Sequence, residues 1–301
     1  MGPLDAFILR VTGSGGFFIF RSRWSLVVQT SASPAEKERP DMFNRYSLVL
    51  ALVAGVVVSS QASPYADAVV SYNPGVGYSQ GFTLPSAALG EPSRVNPFGD
   101  ATDPFDPPYG KDQIVSIGEG GSLTVRFQTP ILNHPHNLFG YDFLIFGNSG
   151  FIITNDFDLS TYKWIGTPAT DGSLFAANEG STRVSVSRDG IVFYELRAAI
   201  APIVDRLFPT DAAGDVHVPV APQVGQDDLA GATLEGLRAA YAGSAGGAAY
   251  DISWAVDALG RAVQLPEINF VRVEVLTGKS EVDAFSAVIR NVPGPARGKG
   301  R

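Results

Sequence analysis

Residues 181–196 read STRVSVSRDGIVFYEL. Val184 and Val186 alternate with Ser185 and Ser187, the period of two of a strand with one face buried. Arg188-Asp189-Gly190 follows as a turn: Asp accepts turn geometry, and Gly takes a positive φ without steric cost. Beyond it Ile191 and Phe193 alternate with Val192 and Tyr194. The stretch therefore reads as two strands joined by a three-residue turn with a bulge.

The same pattern recurs on both sides. Ala68–Tyr72 is a first strand, and Gln113–Ile117 another. Gly118-Glu119-Gly120-Gly121 then turns the chain into Ser122–Phe127, where Leu123, Val125 and Phe127 alternate with polar residues. Tyr141–Phe146 is almost continuously apolar, as a central strand would be. Phe151–Thr154, Asn269–Leu276 and Asp283–Ile289 complete the set. With 33 Gly and 21 Pro in 301 residues and only 17% charged side chains, the many short strands point to an all-β chain. Residues 197–260 break the alternation, and Asp228–Tyr241 reads as a helix capped by Asp227 or Asp228 and stopped by Gly243. We therefore expect a jelly-roll β-sandwich of about eight strands, with a loop-rich, partly helical insertion.

The N-terminal region has a different logic. From Met42, Arg45 supplies a positive start, and Leu48–Val58 an apolar run of 11 residues. Small residues follow at Ser60-Gln61-Ala62, with Ala66-Asp67-Ala68 as a second cleavage option. This is the layout of a secretory signal peptide, and the run is too short for a standard membrane span. Residues 1–41 have no consistent periodicity, so Met42 is the expected true start. The expected organisation is an extension at 1–41, a signal peptide at 42–62, a β-sandwich domain at 63–291 and a basic tail at 292–301. Export permits disulfides, yet the chain has no Cys. The domain relies on its core, or on another cross-link such as a bound cation.

Several segments follow one another in a characteristic order: Val115–Phe127, Asp142-Phe-Leu-Ile-Phe-Gly-Asn148, Val184–Tyr194, Val271–Val275 and Val282–Val288. This order resembles bacterial secreted or cell-surface proteins with a galactose-binding-like jelly roll, over roughly residues 85 to 290. The resemblance implies an eight-stranded sandwich whose end loops bind sugars or calcium, usually without catalysis. Such proteins often end in a Val-Pro-Glu-Pro sorting signal of the PEP-CTERM type, followed by an apolar helix and basic residues. Here Val292-Pro293-Gly294-Pro295 precedes Arg-Gly-Lys-Gly-Arg, with Gly294 in place of Glu and no apolar helix. The tail is thus a degenerate remnant of that signal or a disordered basic tail, and membrane attachment is confined to export or a lost anchor.

Charge narrows the partners. Residues 63–291 hold 13 Lys/Arg against 26 Asp/Glu, which repels phosphate backbones and excludes nucleic acid. Such a domain suits hard cations, which need 6–8 oxygens from carboxylates and loop carbonyls. Asn155, Asp156 and Asp158 cluster in one loop and are the first candidates for calcium. Asp251, Glu281 and Asp283 are further candidate ligands, and Asp103 and Asp106 lie in another loop. The competing role for these acids is as solvated turn residues. His134-Pro135-His136 has two imidazoles, but the chain has only one other His, His217, and the setting is rich in turn formers. Gly77-Tyr78-Ser79-Gln80-Gly81 matches a nucleophile elbow in letters only, since that motif needs a strand before it and a helix after it. No catalytic residue is assigned.

Aromatic rings cover the apolar faces of pyranoses while nearby polar groups set orientation. Tyr109, Tyr162 and Trp164 lie in loop-like stretches and are the candidate ligand-binding residues, with burial in the core as the competing role. The expected function is an exported, non-catalytic carbohydrate-binding or adhesion module that takes an extracellular polysaccharide or cell-surface glycan. The alternatives are a structural surface or matrix protein with no specific ligand, and a secreted hydrolase or lyase using loop carboxylates.

Overall fold

The computed structural model describes residues 63–289. The expected extension, export signal and tail lie outside the described residues. In chain order the strands are β1 (Ala68–Asn73), β2 (Val115–Gly118), β3 (Ser122–Leu132), β4 (Phe143–Gly147) and β5 (Gly150–Phe151). Then come β6 (Phe157–Asp158), β7 (Lys163–Trp164), β8 (Leu174–Phe175), β9 (Ser181–Ser187) and β10 (Tyr194–Leu196). The set ends with β11 (Ala248–Tyr250), β12 (Ala255–Val256), β13 (Glu267–Thr277) and β14 (Lys279–Ala287); one α-helix, α1, spans Leu234–Tyr241.

The architecture is all-β and antiparallel. One sheet has the order β1-β3-β13-β9-β10-β12, the other β11-β4-β14-β2. Alternation explains how they meet. Val271, Val273 and Val275 of β13, Leu123, Val125 and Phe127 of β3, and Val184 and Val186 of β9 all enter one apolar cluster. Val115 and Ile117 of β2, Phe143 and Ile145 of β4, and Val282 and Phe285 of β14 enter the same cluster from the second sheet. The two sheets thus face each other across a shared core.

Their outer faces differ. The six-stranded sheet carries partly exposed ion pairs such as Arg183–Glu195 at 3.2 Å and Arg188–Glu267 at 3.0 Å, each worth little in water. The four-stranded sheet is buried outside as well. Leu144 and Phe146, the alternate residues of β4, pack with Val216, Ala245 and Ala284. This double burial is why Tyr141–Phe146 reads as continuously apolar. A satellite cluster of Phe151, Val220, Leu229, Leu237 and Tyr241 lies under the long connection between β10 and β11.

Two local readings are corrected. The hairpin at 181–196 has a longer turn than the pattern suggests, because β10 begins only at Tyr194. Asp189 Oδ1 accepts hydrogen bonds from the N–H groups of Ile191 and Val192, both at 2.9 Å. Those donors are therefore spent on the turn rather than on a ladder, and Ile191 projects into solvent. The helix begins at Leu234 instead of Asp228. Gly231 has a φ of 78°, which interrupts the helix, and Thr233 Oγ1 caps the new start by accepting from Gly236 N. Leu237 and Tyr241, one turn apart, are the residues α1 buries.

Candidate functional site

The residues expected to hold calcium are dispersed, and most have other partners. Asn155 staples the base of its own loop: Nδ2 donates to the carbonyls of Ile165 and Thr167 at 3.1 and 3.2 Å, and Oδ1 accepts from Ala169 N at 2.7 Å. Asp156 is exposed. Asp158 accepts from Ser160 N, Ser160 Oγ and Thr161 Oγ1 at 2.7–2.8 Å. The Ser160 hydroxyl, followed by that of Thr161, draws the Asp158 carboxyl down to about 2. Asp251 caps a short helical turn by accepting from Ser253 N at 2.7 Å. Among the described residues no three His, Asp or Glu side chains converge to hold a metal ion.

Glu281 and Asp283 have a different setting, on the covered outer face of β14. Glu281 accepts from Ser79 Oγ, from Asn148 Nδ2 at 2.7 Å and from Lys279 Nζ at 3.1 Å. Asp283 accepts from Ser93 N and Oγ at 2.8 and 2.7 Å. Burial nevertheless raises the Asp283 carboxyl to about 7. Asp205 joins this layer, with its backbone in the left-handed region at φ 61°. It accepts from Asn148 N, Ser149 N and Glu281 N at 2.8–2.9 Å. Burial pushes Asp205 well up, and the nearby Glu281 charge adds to this. Its carboxylate lies where a Cβ on residue 147 would be, so β4 must end in Gly147. The layer joins loops to the sheet, and its groups are enclosed.

The histidines do not gather either. His134 Nδ1 accepts from His136 N at 3.2 Å, while His217 packs by Ser286. Gly77–Gly81 lies in a loop, since β1 ends at Asn73 and the next helical turn starts at Pro85.

A concave surface lies elsewhere, by α1. A cavity of about 580 Å³ is lined by Asp103, Phe105, Asp106, Thr167, Pro168, Arg238 and their neighbours, including Ile153 and Glu235. Three segments build it. The first is the 103–106 turn, where Asp103 Oδ1 accepts from Phe105 N and Asp106 N at 2.8 and 3.1 Å. The second is α1, which presents Glu235 and Arg238. Arg238 is gripped by buried Asp211, with Nε–Oδ2 at 2.8 Å and Nη2–Oδ1 at 3.0 Å. The third is the base of the β6–β7 hairpin, at Ile153 on one side and Thr167 and Pro168 on the other.

That hairpin carries two of the aromatic candidates. Trp164 stands edge-on to Phe157 with ring centres 4.9 Å apart, and Tyr162 does so at 6.3 Å. Tyr162 is 80% exposed, and Leu159 and Ile165 beside it are 76% and 60% exposed. β6 and β7 pair only with each other, so the sheets do not bury these side chains. Tyr109 is also at the surface, edge-on to Phe98 at 6.2 Å. Desolvation raises its phenol, and the charges of Asp106 and Asp100 add to this. The three aromatic candidates therefore sit on or beside the segments that line the cavity. Glu235 and Arg238 were missed by sequence reasoning. Arg238, within the segment read as a helix, was the available signal, but its partner Asp211 is distant in sequence. No protein-family model matches the chain, and no curated protein matches it in sequence.

Proposed function

We propose that the protein is an exported, non-catalytic glycan-binding protein whose ligand enters the cavity beside α1 and lays its sugar faces on the β6–β7 hairpin. The carrying observation is the exposed Phe157–Tyr162–Trp164 group on a hairpin whose base forms one wall of a mainly apolar cavity of about 580 Å³ that also carries carboxylates. Cavities of roughly 300–1,000 Å³ suit small ligands, and rings with a polar surround suit pyranoses. Phe105, Pro168 and Leu234 supply apolar contact, and the carboxylates supply acceptors for hydroxyl groups.

The strand order supports a jelly roll. The eight strands β2, β3, β4, β9, β10, β11, β13 and β14, counted 1 to 8 in chain order, run 1-8-3-6 in one sheet and 2-7-4-5 in the other. Two nested Greek keys produce this alternation. β1 and β12 extend the six-stranded sheet at its edges. The export signal starting at Met42 supports a secreted or cell-surface setting, with an extracellular polysaccharide or surface glycan as partner. Calcium is left out of the binding step, because Asn155, Asp158, Asp251, Glu281 and Asp283 are engaged elsewhere in the fold.

Glycan-array screening of the purified protein, followed by calorimetry, tests this function. Saturable binding that Trp164→Ala weakens supports it. Absence of binding across the array returns the protein to a structural surface role. Release of new reducing ends from a bound oligosaccharide indicates a hydrolase using the cavity acids.

A further inference from the structure

We propose that Ser79 is a nucleophile, with Glu281 as its general base and Lys279 beside it, in a second site that cleaves small carboxylic esters. This goes beyond the glycan-binding reading and does not rest on it; if it holds, the protein is non-catalytic only at its glycan-binding face.

The Gly77–Gly81 loop lacks the strand and helix of a nucleophile elbow, but two strands supply Ser79 with partners. β2 and β14 pair so that Ser116 lies opposite Glu281 and Gly118 opposite Lys279. The loop docks on β2 at Ser116: Ser79 N donates to Ser116 Oγ at 2.8 Å, and Ser116 N donates to the Phe82 carbonyl at 2.7 Å. Gly118 permits this approach, since a Cβ there would collide with the Val76 carbonyl and Tyr78 N. Ser79 thereby meets two side chains 200 and 202 residues further along the chain. Lys279 Nζ donates to Ser79 Oγ at 2.7 Å, and Ser79 Oγ donates to Glu281 Oε1. Lys279 Nζ also lies 3.1 Å from Glu281 Oε1. The second carboxylate oxygen, Oε2, accepts from Asn148 Nδ2 at 2.7 Å, so the base is held from behind.

A nucleophile in hydrogen-bond contact with a base that a third group orients is the arrangement covalent catalysis needs. A serine hydroxyl has one proton and two lone pairs. Here the proton goes to Glu281 and one lone pair takes the Lys279 ammonium, which leaves one lone pair for attack. In the first step the Ser79 oxygen bonds the ester carbonyl carbon, and its proton passes to Glu281. The bond to the alcohol oxygen then breaks, and the alcohol leaves with that proton. Water next attacks the acyl carbon and gives a proton to Glu281; the bond to Ser79 breaks, the serine recovers the proton, and the acid departs. The N–H groups of Gln80 and Gly81 donate to no described residue. With the Lys279 ammonium they are the donors left for the developing oxyanion. Access distinguishes this cluster from an enclosed ion pair. Ser79 is half-buried, Gly77, Gln80 and Gly81 are exposed, and the Lys279 side chain is 36% exposed against 6% for Glu281. A hydroxyl flanked by exposed glycines meets a small acyl group, such as an acetyl ester, from solvent.

The test uses the purified protein with two probes, a serine-directed fluorophosphonate and p-nitrophenyl acetate. The expected result is a fluorophosphonate adduct mapped to Ser79 by peptide mass spectrometry, together with repeated turnover of the ester that Ser79→Ala lowers about a hundredfold. Glu281→Gln and Lys279→Met should each slow both reactions about a hundredfold, in variants that thermal unfolding shows to be folded. Glu281 is buried, so if its variant does not fold, Lys279→Met at a partly exposed position decides. Absence of an adduct on Ser79, or ester turnover that survives Ser79→Ala, overturns the proposal. Labelling unchanged by loss of the Lys279 ammonium overturns it too. A glycan array without binding, alongside a labelled Ser79, removes the glycan function and leaves the esterase site standing; glycan binding with an unlabelled Ser79 does the reverse.

Discussion

Two hairpins in this chain use similar residues for opposite ends. In β9–β10, Val184, Val186 and Leu196 enter the core between the sheets. In β6–β7, Phe157, Tyr162 and Trp164 remain at the surface. The first hairpin pairs onward, with β13 on one side and β12 on the other. The second pairs with itself alone. Folding accounts for the apolar residues of the first. It does not account for those of the second, whose short strands and exposed rings cost solubility without filling a core. Aromatic residues that packing leaves unexplained are where binding should be sought.

That contrast can be broken from either side. Leu196→Ala should lower stability by about 2–5 kcal/mol, because it empties a site in the shared core; urea unfolding measures this. A loss under about 1 kcal/mol would mean that the first hairpin is not structural in the way described.

The buried acids give the next largest effect. Asp283 is raised from 3.8 to about 7 by burial, and Asp142 from 3.8 to about 6 for the same reason. In both cases the folded form holds a proton that the unfolded chain releases. Their contribution to stability is therefore greatest at about pH 4, falls as pH rises to about 7, and is level above that. The expected loss over this window is a few kcal/mol. Asp283→Asn should flatten the slope, since the amide oxygen still accepts from Ser93 and carries no charge. Urea unfolding across this pH range would show it; an unchanged slope in the variant would remove Asp283 as its source.

On the other side of the contrast, Trp164→Ala should weaken glycan binding about tenfold or more while changing stability by less than about 1 kcal/mol. Tyr162→Ala, at the exposed tip, should shift stability by under about 0.5 kcal/mol. Large unfolding effects from either variant would make this hairpin structural too.

The smallest expected effect concerns calcium. Thermal unfolding with excess calcium and then with chelator should give no clear change in midpoint. A shift of roughly 5–10 °C, as a ligand at about 100 times its dissociation constant would cause, would restore calcium and direct attention to Asp156, whose carboxylate is exposed.

The sequence by itself determined the class of fold and the positions of β9 and β13, whereas β3 runs on to Leu132 and β14 begins at Lys279, four residues before the expected Asp283. Val271, Val273 and Val275 alternate within five residues, and a period of two is a local property that needs no knowledge of partners. Tyr141–Phe146 was equally legible as a central strand, while the covering of its second face by Val216 and Ala245 came from packing. The turn acids were half legible: Asp158 and Asp189 sit in turns as their residue type suggests, but Asp189 extends its turn and shortens β10. Only the tertiary structure decided which side chains meet. Arg238 is 27 residues from Asp211, and Glu281 is 76 residues from Asp205, whose carboxylate accepts its N–H. The cavity gathers one turn, one helix and one hairpin base that share no sequence pattern. Local periodicity records which face of an element is apolar, whereas a site depends on contacts between distant segments, and those exist only once the chain has folded.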